Sequence, residues 1–359
     1  MPTKILAQSL TTIELVQQSK DLLHALRRSD PDALQRVPEF QPVVVSESDE
    51  LPAQEYFTLA DAQFTLAREY GIDNWRQLRE IVCNNLGMKL NTAHHERIED
   101  PVFRKAVDLL DEGNIEMLQS ILAAHPSLLT ATVEFPADNY FQCPTLLEFV
   151  AENPVRHDTL PDNIVSVAAL ILDMGAKQYI GPIENTLALV CSGRVMRECG
   201  KQTQMIDLLC DCGATIDDAM NAALGHGEFE AAQALIRRGA RIDLVVAAAL
   251  GCTEKANQQL HGANSTQRHQ ALAMCTQHGR VAIVELLLNA GEDPNRYNPA
   301  GFHAHTTPLH QAALAGHIDV VNLLVSHGAR ADIPDINFKA TARDWARHAG
   351  HTDVEKLLT

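Results

Sequence analysis

The 359-residue sequence predicts an all-α solenoid of about eight helix–turn–helix units behind an N-terminal helical cap region. Three observations predict it. A shift of 34 residues lays one segment on another: Thr307 meets Thr341, Ala312 meets Ala346, and Gly316 and His317 meet Gly350 and His351. In the same shift Asp319 and Val320 meet Asp353 and Val354, and Leu323 and Leu324 meet Leu357 and Leu358. A second column reaches further back, with two apolar residues standing just before a glycine: Leu170 and Ile171 before Gly175, Leu208 and Leu209 before Gly213, Ala234 and Leu235 before Gly239. Aromatic residues make up only 5% of a chain that is 46% hydrophobic, which suits helices packed through small side chains.

The first ninety residues do not carry the repeat. Residues 5–26 read as one or two amphipathic helices, and Ser29, Asp30, Pro31 and Asp32 signal a restart. Residues 41–52 hold Pro42, Pro52 and several acids and read as a loop. Thr58 and Asp61 resemble a capping box, with Asp in place of Glu. The helix behind it puts Leu59, Ala62, Leu66 and Tyr70 on one face, and Gly71 stops it. Asp73 and Asn74 restart a helix that packs Trp75 and Leu78. Residues 94–100 are charged and read as a linker. The domain division is therefore 1–95, a helical region expected to cover the first repeat's apolar face, and 96–359, the repeats.

Units start near 101, 144, 185, 218, 245, 268, 305 and 339. In one of them Thr307 caps a helix and Pro308 fills its first position, where a missing N–H costs nothing. Gly316 ends that helix in a left-handed conformation. Asp319 opens the second helix, where the dipole favours an anion. Val320, Leu323 and Leu324 form its apolar face, Gly328 ends it, and residues 329–337 turn towards the next unit. Residues 191–204 look like an insertion in the third unit.

At Thr307, Pro308, Leu309, His310, Ala312 and Ala313, and at the turn Gly328, Ala329 and Asp332, the chain resembles the ankyrin-repeat family. The resemblance is strongest from 266 to the end. The run 61–78 is similar to a helical segment ahead of repeats in bacterial ankyrin proteins, which implies a bacterial source. The resemblance implies a protein-binding solenoid, with His310, His317 and His351 in structural roles.

Composition bounds the function. The chain has 29 Lys and Arg against 46 Asp and Glu, a net charge of −17. That excess disfavours nucleic acid as a partner and admits a basic protein. The most apolar run, 244–252, is under half of the ~20 residues that span a bilayer. No apolar leader is visible, and the eight cysteines show no scaffold spacing, so a cytoplasmic location without membrane attachment is expected.

Catalytic signatures are missing from the sequence: no GxGxxG, no Walker loop, no GxSxG. His94 and His95 are adjacent, whereas a zincin needs its histidines one turn apart. Cys210 and Cys212 point about 200° apart on a helix and cannot share a metal; Cys210 reads as core and Cys212 as a helix end. No enzyme activity, catalytic residue, metal or cofactor is therefore expected.

The variable positions of the units point instead to protein binding through the concave face and turn tips. The candidate contact residues are Arg296, Tyr297, Asn298, His303, His305, Leu314, Arg330, Asp335, Phe338 and His348, with Tyr297 and Phe338 as aromatic anchors. His303 and His305 could instead contribute to a metal site, although further ligands are not apparent. An acidic inhibitor or immunity-type protein masking a basic partner is the second reading. An enzyme or ligand binder using residues 1–90 or 191–204 is the third.

Overall fold

The computed structural model describes residues 4–7, 9–28, 30–40, 59–85, 93–135, 140–299 and 301–359. The chain divides into two compact bodies, residues 91–250 and residues 1–90 together with 251–359.

The N-terminal helices are set by their caps. α1 (Thr12–Arg27) starts at a capping box in which the Thr11 hydroxyl accepts from the Glu14 N–H and the Glu14 carboxylate accepts from the Thr11 N–H. This places the start seven residues later than residue 5. Asp30 caps α2 (Pro31–Phe40), accepting from Asp32 and Ala33. α3 (Leu59–Glu69) and α4 (Trp75–Asn85) follow, the latter opened by Asn74. Leu15, Leu66, Ala67, Leu78 and Val82 form one core, and Leu22, Leu26, Ala33 and Ala62 a second. Glu69 is buried but paired with Lys4 at 3.0 Å and Arg36 at 2.5 Å. The expected loop over 41–52 and the cap at Thr58 lie outside the described residues.

In the body 91–250, the stretch expected as a linker is a packed 3-10 turn, His94–Arg97. The His94 ring stands edge-on to Phe135 at 5.0 Å and to Phe141 at 5.5 Å, and Arg97 lies over Phe135 at 4.9 Å. Polar residues there cover an aromatic cluster that lies forty residues away in sequence. Asp100 then caps α5 (Pro101–Asp111), with Pro101 at its first position, and α6 (Ile115–Ala124) completes the first pair. Thr132 and Thr145 then form an antiparallel bridge. The 3-10 helix Leu146–Ala151, wholly buried, serves as the first helix of the second pair, with α7 (Ile164–Asp173) as its mate.

The third pair is α8 (Ile180–Ser192) and α10 (Gln202–Asp211), with the short α9 (Arg194–Glu198) in the segment expected as an insertion. α11 (Asp217–Gly225) and α12 (Phe229–Arg237) form the fourth, and α13 (Leu244–Leu250) opens the fifth. α8 packs between the 3-10 helix and α11, while α10 packs against α7 and α12. These middle units have no hairpin. Only Ala214, Thr215 and Ile216 separate Gly213 from α11, and this shortening accounts for the compressed repeat spacing there. Cys210 is half-buried rather than core, and burial raises its thiol pKa.

The other body holds α14 (Thr253–Leu260), α15 (Ser265–Gln277), α16 (Val281–Asn289), α17 (Pro308–Leu314), α18 (Ile318–Ser326), α19 (Ala342–Ala349) and α20 (Thr352–Leu357). α17 lies between α15 and α19, and α18 between α16 and α20. Pro308 to Ala313 are therefore buried on every side, and Ala312 and Ala313 leave room for the neighbouring helices. Leu287 and Leu324 are wholly buried, worth about 1.5–3 kcal/mol each by transfer from water.

One device recurs at four places, where the residue preceding a second helix covers the glycine that ended the first helix of the unit before. His317 covers Gly279, His351 covers Gly316, Arg280 covers Gly251, and Asn163 covers Gly113. His317 Nε2 also reaches the carbonyl of Gln277 at 3.1 Å, and Asn163 donates to the carbonyl of Gly113 at 2.8 Å. Gly279 has φ +68° and Gly316 φ +72°, so these positions need glycine for both conformation and space.

Candidate functional site

The contact surface expected from the sequence falls on two hairpin turns, 291–307 and 329–341, and on the first helices beside them. These turns are long: 16 residues lie between Gly291 and α17, and 13 between Gly328 and α19. Four first helices or their equivalents start at capping boxes of one pattern: Thr145 with Glu148, Asn264 with Gln267, Thr307 with His310, and Thr341 with Asp344. The side chain three places on varies while the geometry is kept. His310 Nδ1 accepts from the Thr307 N–H at 3.2 Å, and its Nε2 reaches the carbonyl of Ala340 in the next unit at 3.2 Å. Burial holds its imidazole below the ordinary pKa, so it stays neutral and structural, with the proton assigned to Nε2.

The turns are tied to one another. Asn295 donates from its amide to the carbonyl of Gly328 at 3.0 Å and accepts from the Arg330 N–H at 2.8 Å. The Tyr297 hydroxyl donates to the carbonyl of Pro334 at 2.7 Å, and the Ile336 N–H to the carbonyl of His305 at 2.8 Å. At the centre stands Asp335, with 0% exposure. Its carboxylate accepts from the N–H groups of Phe338 at 2.6 Å and Ala340 at 3.1 Å, and from the indole of Trp345 at 3.0 Å.

Two expected contact residues are thereby corrected. Asp335 and Asn298 are buried; the Asp335 carboxylate is engaged inside the turn, and the Asn298 amide donates to the Thr306 hydroxyl at 3.2 Å. A short polar side chain in a turn reads as exposed, but here the neighbouring unit covers it.

The other candidates sort by exposure. Phe338 is 67% exposed and Leu314 37%. His303, Arg330 and His348 are exposed, His303 at φ +60°. Arg330 extends along the surface in a pair with Asp332. Arg296, Tyr297 and His305 are half-buried. His305 lies 5.8 Å from Trp345 and 6.5 Å from Phe338, ring to ring, and burial lowers its pKa. Trp345 was not foreseen; it backs this cluster, with its indole on Asp335. The signal for it was its place in the first-helix column, one residue after the cap partner Asp344.

Electrostatically the two stretches of repeats differ. Residues 91–250 carry 23 acidic against 11 basic residues, while residues 251–359 carry 10 against 9. Among the described residues no group of three or more His, Cys, Asp or Glu is placed to hold a metal ion, and no helix is long and apolar enough to cross a membrane.

Stacked helix pairs, joined by long hairpin turns in residues 291–341, define a helical-repeat protein. The sequence profile of ankyrin repeats, three copies, matches residues 244–335 and 272–359. Human cyclin-dependent kinase 4 inhibitor B is 37% identical over 121 residues, 32% of this chain and 83% of that protein. Human cyclin-dependent kinase inhibitor 2A is 36% identical over 121 residues, 32% of this chain and 74% of that protein. Human ARF GTPase-activating protein GIT1 is 39% identical over 80 residues, 22% of this chain but only 10% of that protein. The chain belongs to the ankyrin-repeat family. As such it is a protein–protein interaction module.

Proposed function

We propose that this chain is a non-enzymatic scaffold that holds one protein partner on the hairpin turns and first-helix faces of residues 266–359. The observation that carries the reading is the separation of roles within the two turns. Asp335, Asn298, Asn295 and Tyr297 are engaged in holding the turns, while Phe338, Leu314, His303, Arg330 and His348 stand outward from that frame. A rigid frame presenting an exposed aromatic and an arginine suits a small energetic centre for binding. The eight cysteines are free thiols, which suits a reducing, cytoplasmic setting.

The test is a pull-down from the native cell's lysate with the whole chain and with the Phe338→Ala, Arg330→Ala double variant. Both substitutions lie on exposed side chains and leave the Asp335 network intact. The reading expects one stoichiometric protein on the wild-type chain and at least tenfold less on the variant. Equal retention refutes it.

A second reading has its own support. The acidic excess sits on residues 91–250, so a chain that masks a basic partner engages that body rather than the near-neutral turns. Capture would then fall steeply between low and moderate salt and ignore Phe338→Ala.

A further inference from the structure

α3 is buried almost all round. Ala62, Thr65, Leu66 and Ala67 are wholly buried, and Phe64 is 3% exposed. α1, α2 and α4 pack against this helix. Ala62 belongs to the core shared with Leu22, Leu26 and Ala33, and Leu66 and Ala67 to the core shared with Leu15 and Leu78. Phe64 belongs to neither. At 100° per residue, Phe64 and Arg68 stand about 200° and 240° around the helix from Ala62, on the opposite face. That face meets the last unit. The Lys339 ammonium lies 4.7 Å above the centre of the Phe64 ring. Lys339 itself is at φ +56° in the turn 335–341, next to the exposed Phe338. Burial lowers the lysine's pKa, and Arg68 adds to the effect. The N-terminal helices therefore touch the last unit, whereas the sequence led us to expect them on the first.

We propose that the turn 335–341 is a docking surface whose resident occupant is α3 of this same chain, and that a protein partner reaching this turn must displace the N-terminal helices. The second half rests on the reading that the partner uses Phe338. The turn then has two states. In one, Lys339 is held over Phe64 and the approach to Phe338 is narrowed on that side. In the other, α3 is released and the whole turn is open. A partner's apparent affinity is reduced by the fraction of chains in the docked state.

The experiment uses the full-length chain carrying Phe64→Cys and Lys339→Cys, treated with a mild oxidant and mapped by peptide mass. A link between positions 64 and 339 is expected at a rate independent of protein concentration. It should form at least tenfold faster than any link from position 64 to the exposed native Cys252. If it forms no faster, the docking is overturned. The linked chain is then presented with the same lysate as above, beside the reduced chain and Phe64→Ala. The gate expects at least tenfold less captured protein on the linked chain, recovery with reductant, and capture on Phe64→Ala no lower than wild type. If the linked chain captures as much as the reduced one while Phe338→Ala still weakens capture, the gate is overturned and the contact reading survives. If Phe338→Ala has no effect either, the contact reading itself has failed.

Discussion

Replacing Gly279 by alanine probes how one unit is held to the next. The backbone there sits at φ +68°, which costs an L-residue about 1–2 kcal/mol. The added Cβ would also stand 2.9 Å from two atoms of the His317 ring. That ring can retreat only by giving up its contact with the Gln277 carbonyl, a loss of about 1 kcal/mol. Gly279→Ala should therefore cost about 2–3 kcal/mol and His317→Ala about 1 kcal/mol. With His317 already removed, the glycine substitution meets only the backbone strain. The double variant should then fall short of the sum by about 1 kcal/mol, well beyond the ~0.3–0.5 kcal/mol scatter of independent sites. Hydrogen exchange over α15, α16 and α18 in the full chain reads the local opening free energy without assuming that the whole molecule unfolds at once. Additive costs would refute the idea that the histidine and the preceding unit's glycine form a single joint.

Two further outcomes follow from buried polar groups. Asp335→Ala strands two backbone N–H groups and the Trp345 indole inside the last turn, and should cost about 3 kcal/mol at ~1 kcal/mol or more per buried orphan. Exchange should rise over 329–349 and Trp345 emission should shift to the red, while exchange over α5 to α8 stays unchanged; an unshifted emission spectrum would contradict the role given to this carboxylate. His269 is buried, with Nε2 3.1 Å from the Tyr297 carbonyl, and burial pushes its pKa down to about 4. Its unfolded form takes a proton near pH ~6.5, so the unfolded chain binds more protons between the two values and stability is lost as pH falls through that window. The full loss is about 3 kcal/mol at 1.36 kcal/mol per pKa unit, reduced to the extent that Glu292, 3.8 Å from Nδ1, attracts the new charge. Urea midpoints from pH 7.5 to 4 should show this slope in wild type and a shallower one in His269→Gln, where the half-buried His305 and the buried His310 still contribute with the same sign.

What could be read in the sequence was local. The cap at Thr307, its counterpart Thr341 one repeat later, and the glycines that end helices act over three or four residues, so they show in the linear order. The unit count follows from them. The cap at Thr11 is missed, and the expected first helix starts at residue 5 rather than at Thr12. The compressed middle was visible as shortened spacing, and its cause, the missing hairpins between Gly213 and α11, is a deletion at a turn. What could not be read depends on distant neighbours. Asp335 is buried because Trp345 and the turn close over it. The charged stretch at His94 packs because Phe135 and Phe141 offer rings to cover. Phe64 looks like an ordinary core residue of a helical bundle, and nothing near it in sequence points to Lys339.

The joint between units also sets a rule for rearranging them. A unit that ends its first helix in Gly279 or Gly316 accepts a ring from its successor, and one that ends in Gly251 or Gly113 accepts an arginine or an asparagine. The glycine of one unit and the residue before the second helix of the following unit are thus a matched pair, separated by 29 to 50 positions. Units should be exchangeable between places in such a stack only when both members of the pair travel together. Among relatives with the same architecture, the glycine should be kept wherever a side chain covers it, and a chain assembled from units cut between the two positions should be the least stable of its set.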